Sequence, residues 1–415
     1  MVSEIGKYAS VTKVLDEILR AMPTRPGVES VPTARAYGRI SAGDVFSREN
    51  VPRHRSSHMD GYAVKSEDTT SASPTSPVAL SVVGEVVLGE EPSSRIARGQ
   101  AFRISTGSFL PGGADAVVPT EDAKAEGKRI TVMVPFTSGR NVFRAGEDLK
   151  KGEAVISEGR AIRAQDAGLA LSLGIQSVEV FRRPVVAMLA TGSELTDSPV
   201  GEVGKQRNTH TAIFARLVEA AGGVPLDLGI APDVRKEILA KAKKGLDSAD
   251  MLMTMGGTSV GRKDLVGDVV SSLRPRAMFH GIRMDRGRVT GVAVVGQKPV
   301  LLMPGPIQGA MNAFLLSGLP IIRRMSGRKD GEIVVRARLK TGWEARRRFP
   351  HFVKVLYVSL GIGKTGLEAE PIVGDTESMT VLTKSNAYVV VPEETTSLRS
   401  GEAVDAFLLP GFSFA

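Results

Sequence analysis

Ala249-Asp250-Met251-Leu252-Met253-Thr254-Met255-Gly256-Gly257-Thr258-Ser259-Val260-Gly261-Arg262-Lys263-Asp264 is the stretch around which the rest of the chain is organised. A short apolar run breaks at two glycines, passes through Thr258 and Ser259, and meets an acidic residue before Leu265-Val266. That order predicts a buried strand, a glycine loop and a helix start. Glycines let a backbone approach an anion closely, and free amides with two hydroxyls supply donors, so the loop suits a phosphate. It equally suits a tight strand-to-helix turn without a ligand, because glycine motifs alone are weakly specific.

Strand-like and helix-like segments alternate on both sides of this loop, from Pro184 to about Met325. Strands are expected at 185–189, 224–230 and 300–303. Helices are expected at 212–221, with Ile213, Leu217 and Ala221 on one face, near Asp233, and at 310–319. Such alternation signals a parallel sheet with right-handed crossovers, whose ligands sit beyond the carboxyl ends of the strands. Gly192-Ser193-Glu194, Gly256 to Gly261 and Pro304-Gly305-Pro306 would then line one crevice.

Further out the pattern changes. Residues 11–22 place apolar side chains at helical spacing until Pro23 and Pro26. Between Val78 and Val142 short strands are separated by glycine and proline, which predicts a small β-rich domain. Helical character returns at 164–173, and this segment is expected to pack back against the N-terminal helix. Beyond Gly327 strand patterns at 333–339, 353–360 and 387–391 predict a C-terminal β-barrel or sandwich. The expected domains are 1–48 with 146–182 as a discontinuous linker and dimerisation unit, 49–145 as a β-rich insert, 183–327 as the α/β unit, and 328–415 as the barrel.

Composition bounds the chemistry. The 415 residues exceed what one core usually serves, and the 42% hydrophobic fraction supports well-packed domains. No apolar run approaches membrane-spanning length and the N-terminus lacks a signal-peptide core, so a soluble, cytoplasmic protein is expected, without a membrane partner. With no cysteine, disulfides, thiolate metal sites and a cysteine nucleophile are excluded, and five scattered histidines argue against a zinc enzyme. The net charge of +9 favours anionic partners. Only 5% of residues are aromatic and the basic clusters Arg182-Arg183, Arg323-Arg324 and Arg346-Arg347-Arg348 are short and dispersed rather than gathered in an arm; a small polyanionic substrate fits the charge equally well, and no nucleic-acid partner is expected.

Five carboxylates, Asp60, Asp148, Glu194, Asp233 and Asp264, fall beside glycines or at element ends. Loop carboxylates on rigid elements suit a hard cation that shares them with substrate phosphates. They also suit structure alone: Asp60-Gly61 is a turn dipeptide, Asp233 and Asp264 are N-cap candidates, and Glu194 would favour a helix start.

Taken together, the motifs Ser57-His58-Met59-Asp60-Gly61-Tyr62-Ala63-Val64, Arg103-Ile104-Ser105-Thr106-Gly107, Arg144-Ala145-Gly146-Glu147-Asp148, Ala190-Thr191-Gly192-Ser193-Glu194-Leu195 and Gly256-Gly257-Thr258-Ser259-Val260-Gly261 resemble the molybdopterin molybdenumtransferase family, the MoeA and gephyrin E-domain proteins. They follow the family's order and cover nearly the whole chain. The resemblance implies a multidomain α/β and β fold: a central three-layer α/β/α domain of the molybdopterin-binding, MogA-like kind, a β-rich inserted domain, a discontinuous helical linker domain and a small C-terminal β-barrel. It implies a homodimer in which the α/β domain of one subunit faces the insert of the other. It also implies a transferase that inserts molybdate or tungstate into adenylylated molybdopterin and releases AMP with Mg2+, served by an adenylyltransferase that supplies its substrate. The two metal-binding thiolates would belong to the substrate, in keeping with a chain that has no cysteine.

On this resemblance the catalytic carboxylates are Asp60, Asp148, Glu194, Asp233 and Asp264, with Glu194 and Asp233 on the metal and Asp264 orienting the pterin or its phosphate loop. Thr106, Gly192, Gly256, Gly257, Thr258, Ser259, Gly261, Arg283, Arg286, Arg288, Pro304, Gly305, Pro306 and Ser378 would contact substrate. An arginine among Arg346 to Arg348 is a further candidate for the oxyanion. Two departures fall here. The family's Lys-Pro-Gly-Lys-Pro reads Asp285-Arg286-Gly287-Arg288-Val289, and its Pro-Gly-Asn-Pro reads Pro304-Gly305-Pro306, one residue short. Two other functions stay open: a molybdopterin adenylyltransferase, which shares a similar glycine loop, and a non-catalytic pterin-binding carrier or scaffold.

Overall fold

The Met251–Met255 strand is buried at every residue, as expected of a run that is apolar except for Thr254 and lies inside a parallel sheet covered on both faces. The computed structural model describes residues 8–23, 26–90, 94–258, 264–345, 349, 351–364 and 366–410. Around this strand the sheet runs Val224–Ala231, Val185–Thr191, Met251–Met255, Lys298–Met303, Gly291–Val295, Ala277–His280. The first four strands are parallel, and the last two are antiparallel. The expected parallel core is therefore extended by an antiparallel hairpin that the strand-helix alternation did not reveal.

Helices cover both faces. On one lie α1 (Val11–Ala21) and, following α2 (Ala164–Ser172) in the chain, α3 (His210–Ala220). On the other lie α4 (Arg235–Ser248) and α5 (Leu265–Ser272), whose Ile238, Ala242, Val266 and Val269 pack on Leu189, Leu252 and Leu302. The chain from Ile307 then returns to the first face as α6 (Ile307–Ala313), a π-helical turn at Phe314–Gly318, and α7 (Leu319–Met325). This is the three-layer α/β/α arrangement. Two expectations are corrected. The buried face of α3 carries Thr211, Phe214 and Val218, with Ile213 and Leu217 at its margin. And α1 does not pack on α2: its fully buried Val14 and Ile18 join the α/β core, each contributing roughly 1.5–3 kcal/mol. Helix α2 packs instead with Ala36, Ile162 and Val178, beside the antiparallel pair Val28–Pro32 and Ser177–Phe181.

The β-rich insert is a six-stranded sheet ordered Ala116–Pro119, Gly61–Val64, Gln100–Ile104, Val78–Glu85, Arg129–Val132, Ala123–Glu126. The C-terminal region is a closed five-stranded barrel, so the barrel alternative holds over the sandwich. Its order is Val334–Leu339, Gly366–Pro371, Lys354–Gly363, Ala387–Val391, Ala403–Leu408. The barrel is locked to the α/β layer by a buried polar contact: the Tyr357 hydroxyl donates to Asn312 Oδ1 at 2.7 Å, and Asn312 Nδ2 donates to the Asp285 and Arg286 carbonyls. Burial pushes the Tyr357 hydroxyl pKa up, which keeps it a neutral donor. Among the described residues no helix is long and apolar enough to cross a membrane.

Candidate functional site

Three parallel strands end together, at Thr191, Met255 and Met303, and a cavity of about 380 Å³ opens beyond them. It is bordered by Glu194, Arg207, His210, Gly256, Gly305 and Glu377. The last of these comes from the C-terminal barrel region, so two parts of the chain build the crevice.

Glycine is required at the loop for steric reasons. Gly256 has φ +90° and Gly257 φ +64°, and a Cβ at Gly257 would lie 2.6 Å from both Thr191 Oγ1 and Val266 Cγ2. The loop therefore presses against the neighbouring strand end and α5. Gly256 N–H donates to Met303 O at 3.0 Å, and Thr258 Oγ1 reaches the same carbonyl at 3.4 Å. Ser259 and Gly261 lie outside the described residues, as do Arg346 to Arg348.

Asp264, at the end of the loop, is the N-cap of α5: its Oδ1 accepts from Gly267 N at 2.8 Å. Its Oδ2 lies 3.1 Å from His280 Nδ1, and the side chain is only 14% exposed. Asp264 is thus committed to holding the loop and α5 in place. Glu194 is exposed and borders the crevice, with its carboxylate folded back over Gly192, where a Cβ would stand 2.5 Å from Oε1. Asp233 braces the same turn, its Oδ2 accepting from Ser193 N at 3.1 Å while its own N–H donates to Ser193 Oγ at 2.9 Å. It is not a helix cap, because α4 starts at Arg235 with Val234 at the cap position. Glu194 and Asp233 offer hard oxygen donors at one solvent-accessible turn. That donor set fits a magnesium ion completed by water and phosphate, although among the described residues no three histidine, cysteine or acidic side chains group as a metal site.

Pro304-Gly305-Pro306 runs from the Lys298–Met303 strand into α6, with Pro306 at the cap position. Gly305 and Pro306 border the cavity, and the Gly305 backbone is hydrogen-bonded to the ring of His210. Burial pushes the His210 pKa down, partly offset by that bond and by Glu377. His210 and Glu377 are crevice residues that motif reading missed. The only sequence signal for either was position: His210 opens α3 just after Asn208, whose Oδ1 accepts from Thr211 N at 3.3 Å.

The three arginines expected at the substrate each have a partner within the chain. Arg286 Nη2 donates to Gly374 O at 2.6 Å and Nη1 to Gln308 Oε1. Gln308, fully buried, also donates to the Asp375 and Ser378 carbonyls. Arg283 faces Glu393 at 3.4 Å, and Arg288 stacks its guanidinium 5.1 Å from the Phe349 ring centroid. Together Arg286 and Gln308 strap the Gly374–Ser378 segment, which carries Glu377, against the α/β domain. Ser378 Oγ accepts from Asp375 N at 3.1 Å within that strap.

Asp60, Thr106 and Asp148 lie away from this cavity, in or beside the insert. Asp60 Oδ1 accepts from Thr106 N at 2.7 Å and from Thr106 Oγ1 at 3.1 Å, and these bonds hold its exposed carboxyl below the usual range. Asp148 is exposed, on the turn where its N–H donates to Val51 O.

Comparison with known proteins accounts for each layer. Residues 9–174 match the MoeA N-terminal region (domain I and II), residues 187–324 a probable molybdopterin binding domain, and residues 336–409 the MoeA C-terminal region (domain IV). A molybdopterin molybdenumtransferase of Bacillus subtilis (strain 168) is 32% identical over 379 residues, covering 89% of this chain and 87% of its own. The chain belongs to the molybdopterin molybdenumtransferase family. The family's enzyme from Staphylococcus aureus (strain COL) is 26% identical over 413 residues, 98% of this chain and 97% of its own. The crystal structure of the molybdopterin biosynthesis MoeA protein from Pyrococcus horikoshii OT3 superposes with a TM-score of 0.84 at 29% identity, covering 97% of this chain and all of that one. As a family member, the chain is a transferase of molybdenum cofactor biosynthesis.

Proposed function

We propose that this protein inserts molybdate or tungstate into adenylylated molybdopterin and releases AMP, with Mg2+ as its cation. The observation that carries the reading is the crevice at the ends of three parallel strands, with its sterically required glycine loop, in a chain matched by MoeA-type regions along most of its length. The loop amides of Gly257 and Thr258 offer donors for substrate phosphate, while the Gly256 amide is used on the Met303 carbonyl. Glu194 and Asp233 would hold Mg2+, whose chemistry there is to neutralise phosphate charge as AMP departs. Asp264 acts through the loop it caps, and Arg286 through the strap that positions Glu377. The chain supplies no thiol, so the metal's sulfur ligands are those of the substrate.

Asp60, Thr106 and Asp148 join the crevice in this reading only across a homodimer, the insert of one subunit facing the α/β domain of its partner. The hydrogen bonds that keep Asp60 ionised support a role as a fixed negative group there. Substrate handed over by an adenylyltransferase and a cytoplasmic location complete the proposal. The test is to mix purified protein with adenylylated molybdopterin, Mg2+ and either oxyanion. Oxyanion-dependent AMP release is expected; ATP consumption would indicate adenylylation, and neither would leave a carrier. Sedimentation at graded concentrations tests the dimer.

A further inference from the structure

We infer that the amino-terminal edge of the parallel sheet carries a second anion-binding site, built for a phosphate group or another tetrahedral oxyanion. The strands Val185–Thr191, Met251–Met255 and Lys298–Met303 run parallel, so their first residues lie at the end opposite the crevice, roughly 20 Å away for a seven-residue strand. A cavity of about 220 Å³ sits at those first residues. Arg182 and Arg183 line it from just before the first strand, Lys298 from the opening of the third, and Arg324 from α7.

Four cations thus border one concave space, with Asp250 the single carboxylate among them. That carboxylate is occupied by the fold. Asp250 Oδ2 accepts from Val185 N at 2.8 Å while Asp250 N donates to Val185 O at 2.8 Å, closing the starts of two strands. Lys298 Nζ donates to the Leu246 carbonyl. Among the described residues no carboxylate forms an ion pair with Arg182, Arg183 or Arg324.

The adjoining surface, which shares Arg324, is the internal contrast. There Arg328 pairs with Asp330 at 2.6 Å and Lys329 with Glu158 at 3.0 Å, while Arg323 donates to the Asp330 carbonyl. The same part of the molecule therefore pairs Arg328 and Lys329 with acids, and leaves three guanidinium groups without an ion-paired carboxylate around the cavity. Gly27 fits the same purpose: a Cβ there would lie 2.8 Å from Arg182 Nε, so glycine leaves room for that guanidinium, and Arg182 N–H fixes the chain by donating to Gly27 O at 2.8 Å. Guanidinium forks match tetrahedral oxyanions through paired, charge-assisted bonds, so an oxyanion bridging two of these arginines relieves their repulsion and gains directional contacts. Free phosphate or pyrophosphate and the phosphate of a nucleotide share this chemistry.

The test is calorimetric titration of the full chain with inorganic phosphate, pyrophosphate and AMP at fixed ionic strength, in the wild type and in the exposed-residue variant Arg183→Gln/Arg324→Gln. At least tenfold weaker binding of one of these anions in the variant is expected, with oxyanion-dependent AMP release unchanged within about twofold, because the crevice lies at the other end of the sheet. Pyrophosphate or phosphate losing affinity identifies a free anion, and AMP alone doing so identifies a nucleotide. Equal affinity in both proteins, or no binding at millimolar anion, overturns the inference. Should the double variant unfold, Arg182→Gln gives the same reading from a different side chain.

Discussion

Two neighbouring strands of the same sheet end in a glycine turn followed by an acidic residue, and the two acids meet opposite fates. After Met251–Met255 the loop leads to Asp264, which is enclosed, capping α5 and facing His280. After Val185–Thr191 the turn leads to Glu194, which stays exposed at the crevice while Asp233 braces the backbone beside it. One carboxylate builds the site and the other is available to a ligand. A carboxylate already satisfied by an amide and an imidazole has less to offer a substrate than one held only by its own turn.

Gly257→Val gives the largest expected effect, because it places a branched side chain at positive φ and against Thr191 and Val266. A loss of about 3 kcal/mol of stability or more is expected, measured by urea unfolding, with activity lost alongside. A wild-type unfolding curve would contradict the close packing assigned to this loop. Glu194→Ala separates the two acids. Oxyanion-dependent AMP release should fall about a hundredfold, as for loss of a group acting on transition-state charge, while stability stays within about 0.5 kcal/mol. Retained turnover would remove Glu194 from the site.

Asp264→Ala should do the converse, costing about 1–3 kcal/mol through loss of the cap and of the His280 contact. Activity recovered at low temperature or in stabilising osmolyte would sharpen the contrast with Glu194→Ala, whereas a folded, inactive Asp264→Ala protein would show that Asp264 touches substrate. The smallest effect is at the insert. Thr106→Val removes the hydroxyl bond to Asp60 and should raise that carboxyl toward its ordinary value, read by NMR titration. The sign follows from linkage: a depressed folded-state pKa adds stability that is present above the unfolded value and is lost as pH falls through the folded one. The variant should therefore be slightly less sensitive to acid than the wild type.

Much of the layout was legible because long-range order in this chain is written as local periodicity. The strand at Ala387–Val391 lies where its apolar run predicted it, and α1 and α2 are offset by a single residue at their ends. The antiparallel hairpin of Ala277–His280 and Gly291–Val295 was not legible. Between its strands the chain carries Arg283, Asp285, Arg286 and Arg288, whose charges obscure any strand pattern and two of whose partners, Gly374 and Glu393, lie far along the chain, Gly374 being 88 residues from Arg286. The basic segment joins the α/β layer to the barrel region through Arg286 and Arg283.

By itself the sequence determined the alternation of elements, the place of the glycine loop at Gly256 and Gly257, and the absence of any thiol ligand, because each depends on a residue and its near neighbours. Only the tertiary structure decided which acid would be spent on a helix and which would face the crevice. It also brought His210 and Glu377 to one cavity and gathered Arg182, Arg183 and Arg324 around another. The physical reason is that a side chain's capacity to bind depends on what already satisfies it. Those partners come from strands and loops far away in the chain, where no local pattern records them.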